Sequence, residues 1–352
     1  MKRKRTKLLL WITVTIASIV ILAVALAGYI FYKTLFGNNV ALPANQSGYL
    51  YVKTGSAYND LLLNVENSGL LINISTFKWL ANRKNLHRHV YPGRYEFKPG
   101  MSNDEIINML RSGKQKPLNV IFNNITFPAQ LAGAVSKQLE ADSASIMKLF
   151  NDEKYLTKFG LTIVSAPAIF IPNTYEFYWN TSAEGFFDRM YNEYNKFWTT
   201  ERKLKAELHD LTQKDVSIIA SIVEKETNKN DEKARIAGVY LNRLRRGWKL
   251  QADPTTVYAV YLQTGVALNR VLRVHTQIDS PYNTYIHVGL PPGPICMPSI
   301  SSIDAVLNTE KHNYMFFVAS PDMSGYHRFS TNYNQHLIYA REYQAVLNQM
   351  NR

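Results

Sequence analysis

Two glutamates close a stretch that is otherwise almost wholly apolar, Val216–Thr227, VSIIASIVEKET. Read as a helix at 100° per residue, Glu226 falls about 20° from Ile219 and about 40° from Ile222, so its carboxyl shares the isoleucine face. Glu224 lies about 140° from Ile219, with Ser217, Ser221 and Lys225 nearer its side, and is expected to face solvent. A carboxyl held against apolar side chains has its charged form disfavoured and its pKa raised, which is what a general acid working near neutral pH needs. The bland alternative is that both acids are surface residues where a helix frays.

Other chemistries lack their residues. No HExxH and no cysteine-histidine cluster occurs, so neither a metal nor a cofactor is expected. The histidines, among them His275, His287, His312, His327 and His336, are scattered and read as structural hydrogen-bonding groups. There is no GxSxG and no phosphate-cradling glycine loop. Ser145-Ile146-Met147-Lys148 matches SxxK and Lys53-Thr54-Gly55 matches KTG, but KTG precedes SxxK, the wrong order for a penicillin-binding enzyme.

The chain of 352 residues, 46% hydrophobic and 19% charged, is globular and long enough for two domains. Its net charge is +13, with Lys2, Arg3, Lys4, Arg5 and Lys7 gathered at the N-terminus. The remaining excess suits an anionic polymer or surface, yet no arginine-rich stripe or nucleic-acid motif occurs, so nucleic acid is not an expected partner. Leu8–Tyr32 carries no charge over 25 residues. As a helix it is roughly 37 Å long, enough to cross a bilayer. The basic residues before it place the N-terminus in the cytoplasm and the rest of the chain on the far side. A cleaved signal peptide is the alternative, since Ala25-Leu26-Ala27 imitates a cleavage site, but the run is long for an h-region. Cys296 is the only cysteine, so no intrachain disulfide can form and an exported domain must rely on its core.

Turn chemistry and periodicity supply the elements that would position the acid. GNNVALPANQS, Gly37–Ser47, reads as a polar, proline-containing spacer. A β-α-α-β unit follows: strands at Tyr49–Lys53 and through Val90, Tyr95 and Phe97, helices near Ala57–Asn67 and Ser75–Arg83. Ser102 and Glu105 make a capping box for a further helix that Gly113 ends, and Leu118–Phe122 reads as the closing strand. Such a unit is either a polymer-binding module or a plain packing domain. The aromatic run NTYEFYWN, Asn173–Asn180, is either a sugar-stacking groove wall or core. Ala183–Leu208 is one long helix or two. DEKARIAGVYLNRLRRG, Asp231–Gly247, reads as an amphipathic helix with Ile236, Val239 and Tyr240 inward and Gly247 ending it. Asp253-Pro254 starts a new element, and GLPPG fixes a rigid loop. Tyr314–Ala319 and Tyr326–Ser330 can pair as a hairpin before a closing helix over Asn332–Asn348.

Five stretches in order resemble the endolytic murein transglycosylase family, the MltG or YceG-like proteins. They are ASIVEKET (Ala220–Thr227), GVYLNRLRRGWKLQADPT (Gly238–Thr255), YNTY (Tyr282–Tyr285), GLPPGPI (Gly289–Ile295) and HRFS (His327–Ser330). The anchor and the β-α-α-β unit are similar as well. The resemblance implies an α+β chain with a cytoplasmic basic tail (1–7), a transmembrane helix (8–32), a linker (33–47) and a LysM-like domain (48–122). A helical connecting region (123–165) would then lead to a lysozyme/transglycosylase-like catalytic domain (166–352). It implies a single-pass inner-membrane enzyme whose exported domain cleaves the β-1,4 bond between N-acetylmuramic acid and N-acetylglucosamine in peptidoglycan, leaving 1,6-anhydro ends. The second glutamate of EKET, Glu226, corresponds to the family's catalytic acid. Gln251, Asp253, Asn283 and Tyr285 are expected to line the groove by hydrogen bonds. Expected partners are glycan strands, the membrane and, by the family's example, peptidoglycan synthases.

Two departures from the family pattern occur, Met297-Pro298-Ser299 where an Asn-Pro-Gly is common and His336-Leu337 where a His-Asn pair closes the motif. Two other readings stay open. One is a hydrolase using Asp253 as a second carboxylate. The other is a membrane-tethered scaffold that binds peptidoglycan without cutting it.

Overall fold

Helix α1 (Lys2–Phe36) contains the expected apolar run, and its stretch Lys7–Phe36 is long and apolar enough to cross a membrane. The computed structural model describes residues 2–350, without the side chains of residues 2–6, so most of the expected basic tail lies outside the described side chains. The chain folds as two compact units, one running to Leu118 and taking in Glu176–Asn180, the other made of Asn119–Tyr175 and the chain from Thr181 on.

In the first unit β1 (Gly48–Val52) pairs antiparallel with β2 (Gly93–Phe97), Leu50 opposite Tyr95. Period-two alternation turns Leu50, Val52, Tyr95 and Phe97 inward. Helices α2 (Tyr58–Asn67) and α3 (Ile74–Arg83) cover that face with Leu61, Val65, Phe77 and Leu80. Helix α4 (Asn103–Ser112) starts at the expected capping box, where the Glu105 carboxylate accepts from Ser102 N at 2.8 Å, and ends at Gly113 with φ +64°. The spacer is not free. Val40 is buried and bridges to Leu71, and Asn39 N donates to Met101 O.

Strand β3 (Leu118–Phe122) does not close the β1–β2 sheet as expected; it pairs with β4 (Asn173–Phe177). Its inward residue Phe122 stacks on Tyr175 at 5.7 Å, which gives that face an apolar partner far along the chain. Between them lie α5 (Pro128–Ser136), α6 (Ser143–Phe150) and the single turn α7 (Glu153–Leu156). Ala183–Leu208 resolves into two helices, α8 (Ala183–Phe197) and α9 (Thr200–Glu207), because Thr199 caps the second by accepting from Arg202 N.

The core of the second unit forms around α10 (Gln213–Glu226), which opens on a Thr212/Asp215 capping box and buries Val216, Ile219, Ile222 and Val223. It packs against α11 (Asn230–Arg245), α12 (Asp253–Thr264) and α13 (Ile300–Leu307). The expected hairpin is present as β5 (Phe316–Ala319) with β6 (His327–Ser330), followed by α14 (Tyr333–Met350). His327 ties this hairpin to α11, since its N–H and ring Nδ1 both meet the buried Glu232 carboxylate, at 2.8 and 2.9 Å.

The GLPPGPI segment is strapped along α10: Ile295 N donates to Ser221 Oγ at 3.0 Å, and Met297 N donates to Ile125 O. Gly293 makes this close run possible, because a Cβ there would sit 2.1 Å from Val164 O. Gly293→Ala should therefore cost about 1–3 kcal/mol through forced backbone displacement. Thermal unfolding of the full chain in detergent checks this; an unchanged midpoint would show that the segment has room to move.

Candidate active site

Glu226 is the last residue of α10 and lines a cavity of about 870 Å³. It keeps a partial opening to that cavity, while protein atoms surround it elsewhere. Tyr240, buried on α11, donates its hydroxyl to Glu226 Oε1 at 2.5 Å, leaving Oε2 as the oxygen free to meet a ligand. Burial raises the Glu226 carboxyl to about 7; the Tyr240 hydrogen bond and the Arg243 charge pull it down, and the Asp253 charge pushes it up. A group poised there can both give and take a proton near neutral pH.

Arg243 follows Tyr240 by three residues on α11, so both lie on one face. It is buried, with Nε donating to Met315 O at 2.8 Å and a terminal nitrogen donating to Leu250 O. Its cation is thus fixed by two backbone carbonyls from separate segments. Sequence reasoning turned Tyr240 inward without giving it a partner and passed over Arg243. The signal was available: an arginine in register with Ile236 and Tyr240 belongs to the buried face of its helix.

Asp253 lines the same cavity as Glu226, and Tyr285 donates its hydroxyl to Asp253 Oδ1 at 2.6 Å. These two expected residues are brought to the acid. Gln251 is exposed at a backbone φ of +49° and is not among the residues that line the cavity. Asn283 is a correction. It is fully buried, and its amide donates to Thr276 O and Ile278 O while its oxygen accepts from Thr256 Oγ1 and Tyr285 N. With every hydrogen-bonding position used, it holds the loop that carries Tyr285 and has nothing left for a ligand.

The aromatic wall is also not the expected one. No residue of Asn173–Asn180 lines the cavity; its rings are Phe127, Tyr258 and Tyr261. Phe127 stacks on Tyr261 at 4.1 Å and lies nearly parallel to Tyr258 at 5.4 Å. Tyr258 and Tyr261 sit three residues apart on α12, one helical face. Among the described residues no cluster of His, Cys, Asp and Glu could hold a metal.

A model of the YceG-like family matches residues 50–342. The chain belongs to the YceG-like family. It is 28% identical to the endolytic murein transglycosylase of Streptococcus pneumoniae over 340 residues, covering 86% of this chain and 60% of that protein. The chain thus spans about three-fifths of the pneumococcal relative's length. It is 26% identical to the endolytic murein transglycosylase of Bacillus subtilis over 309 residues, covering 81% of this chain and 83% of that one. A solved YceG-like protein from Listeria monocytogenes aligns with a TM-score of 0.55 at 26% identity, covering 83% of this chain and 98% of that chain.

In this YceG-like chain Glu224 does not face solvent as its helical angle suggested. Its Oε2 accepts from Ser299 Oγ, from Ser302 Oγ and from Lys233 Nζ at 3.2 Å. Burial works against its charge, but Ser299, Ser302 and Lys233 outweigh burial, and its pKa lies below the ordinary carboxylate value. Helical periodicity could not find this, because the partners arrive from α11 and from the start of α13. Ser299, within the departure from Asn-Pro-Gly, is the N-cap of α13. His336 of the second departure stacks on Phe316 at 5.3 Å.

The two glutamates should respond oppositely to amide substitution. Because the folded chain holds Glu226 above its ordinary pKa, stability is full below about 4.5 and is lost as pH rises through about 7. Glu226→Gln abolishes that loss, so it should unfold close to wild type near pH 4.5 and be about 2–3 kcal/mol more stable at pH 8. Denaturant unfolding at both pH values tests it; a pH-independent difference would contradict the raised pKa. Glu224→Gln leaves the buried Lys233 cation without a counter-charge and should cost about 3 kcal/mol. Since Glu224 is held below its ordinary pKa, that cost should be present above about 4.5 and shrink as the pH falls further.

Proposed function

We propose that this chain is a membrane-anchored endolytic lytic transglycosylase, which cuts the β-1,4 bond between N-acetylmuramic acid and N-acetylglucosamine within peptidoglycan glycan strands. The observation that carries the reading is Glu226, a carboxyl raised to about 7 at the wall of a cavity of about 870 Å³. The cavity's stacked aromatic rings suit the apolar faces of sugars. Membership of the YceG-like family and the names of the relatives support the substrate class.

In this mechanism protonated Glu226 gives its proton to the glycosidic oxygen as the C1–O bond breaks. The resulting carboxylate takes the proton of the muramic C6 hydroxyl, whose oxygen bonds to C1 and closes the 1,6-anhydro ring. Water is neither consumed nor released, and one protein carboxyl suffices because the nucleophile belongs to the substrate. Tyr240 holds Oε1, so Oε2 carries the exchanged proton. Asp253, oriented by Tyr285, offers a negative charge to the oxocarbenium-like centre.

We read residues 48–122 as a LysM-like module that binds the same polymer, 123–165 as a connecting region and 166–352 as the catalytic domain. Helix α1 would anchor the chain with its N-terminus in the cytoplasm and offer a surface to peptidoglycan synthases. The presence of Asp253 in the cavity favours one competing reading, a two-carboxylate hydrolase.

Digestion of purified glycan strands with the full chain in detergent separates these readings by product mass. The expected products carry anhydro ends, lighter by one water than hydrolytic ends, and a pure scaffold yields neither. Glu226→Gln should lower the rate by about 10²–10⁴-fold. The wild-type rate should fall as pH rises above about 7, where the acid is already ionised. Hydrolytic ends, or undiminished cutting by the variant, would overturn the assignment.

A further inference from the structure

Where α1 leaves its apolar run it is fixed to the first unit by hydrogen bonds. Asn103, buried at the start of α4, donates to Thr34 O at 3.0 Å and to Thr76 Oγ1 at 3.1 Å. Its Oδ1 accepts from the buried Asn39 amide at 2.6 Å, and Asn39 in turn exchanges hydrogen bonds with the backbone of Asn73. Phe31 meets the Trp79 ring edge-on at 6.0 Å. The helix and this unit therefore share one rigid joint.

Beside the joint lies an open apolar cleft of about 550 Å³, between Ile30, Phe31 and Thr34 of α1 and Ser75, Thr76 and Trp79 of α3. Its depth relative to a bilayer follows from helix length. The hydrocarbon core, about 30 Å, takes up about 20 residues at 1.5 Å each. Counted from Leu8, just after the last charge of the basic cluster, that run ends at Ala27. The cleft residues come within the next two turns, the level of lipid headgroups. Tyr29, Tyr32 and Trp79 are exposed there, residues whose amphipathic rings favour that level. Lys33 lies in the last turn of α1, next in sequence to the cleft residue Thr34, and Arg83 stands over the Trp79 ring at 5.3 Å. Ile72, next to the start of α3, is 61% exposed.

Resting on the reading of α1 as a membrane span, we propose that this cleft is a lipid site: an outer-leaflet phospholipid lays its upper acyl chain against Ile30, Phe31 and Trp79, with its phosphate near Lys33 and Arg83. The first unit is thereby seated on the bilayer surface, not hung from it on a flexible tether. Membrane continuity selects the occupant, since the same helix that enters the bilayer forms one wall of the cleft.

Site-directed fluorescence on the full chain in phosphatidylcholine/phosphatidylglycerol liposomes tests this. The native Cys296 is buried and its thiol is pushed up to about 12, so an added surface cysteine can be labelled in its presence. Three variants carry a polarity-sensitive dye: Ser75→Cys in the cleft, Ser18→Cys within the apolar run, and Leu63→Cys on α2 as an exposed apolar position outside the cleft. The Ser75 dye should be blue-shifted and quenched by lipids with a nitroxide near the headgroup, the Ser18 dye quenched by deep nitroxides, and the Leu63 dye affected by neither. A Ser75 dye that behaves like the Leu63 dye while Ser18 is quenched overturns the lipid site and leaves the span intact. Absence of quenching at Ser18 overturns the span and the lipid site together.

Discussion

The withdrawal of one carboxyl from water, without sealing it off, is the constraint on which the second unit depends. Burial raises Glu226, and the Tyr240 hydroxyl and the Arg243 cation pull it back toward the neutral range. Neither effect alone would serve. In the mechanism proposed above, burial alone would leave an acid unable to ionise after giving its proton, and the hydrogen bond and the cation without burial would leave a carboxylate with no proton to give. The Tyr240 donor and the Arg243 charge come from a single face of α11, and Arg243 is itself held by carbonyls of Met315 and Leu250. The acid strength at the end of α10 is therefore set jointly by α11, the start of the β5–β6 hairpin and the turn before α12.

Glu224 and Glu226 are two residues apart and have opposite environments. Glu226 meets one phenol and an open cavity; Glu224 meets a cation and two serine hydroxyls that hold it ionised. Environments that drive two carboxyls apart in pKa separate a proton-exchanging group from a structural charge. Glu224 gathers α10, α11 and α13 at one point, and that junction lies next to the residue whose position matters most. A buried ion pair of this kind adds little net stability over an apolar packing, so its worth here lies in fixing direction.

Much of this was legible in the chain because it follows from period and local turn chemistry. The 3.6-residue period alone separated Glu226 from Glu224 and turned Ile236, Val239 and Tyr240 inward. Capping residues at Ser102 and the αL glycine at Gly113 bounded α4 where the structure has it. What stayed hidden depends on partners distant in sequence. Periodicity assigns a face but not what covers it, which is why Glu224 read as solvated; a motif such as YNTY likewise does not show which of its side chains are used up inside the fold, which is why Asn283 read as lining the groove. The same limit explains β3: a five-residue strand with Val120 and Phe122 inward fits any apolar neighbour, and Tyr175 decides the matter. The aromatic run at Asn173–Asn180 drew notice by density, whereas Tyr258 and Tyr261 reach the cavity through helical spacing within an unremarkable α12.

The serines of α10 show how an apolar helix is held in register with the rest of the site. Ser217 and Ser221 are fully buried, so they are not the helix's wet face. Ser217 returns its hydroxyl to Gln213 O, a local bond that satisfies it without a tertiary partner. Ser221 donates to Ile218 O and accepts from Ile295 N, which joins the helix to the GLPPGPI segment. Ile295 in turn lines the cavity with Glu226. A rigid proline-glycine segment thus delivers an apolar residue to the cavity that Glu226 lines, and the hydroxyl that anchors it sits on the helix that carries the acid. The course of this strap is fixed by Gly293 and its position along α10 by Ser221, so one wall of the cavity is tied to the helix whose last residue is Glu226.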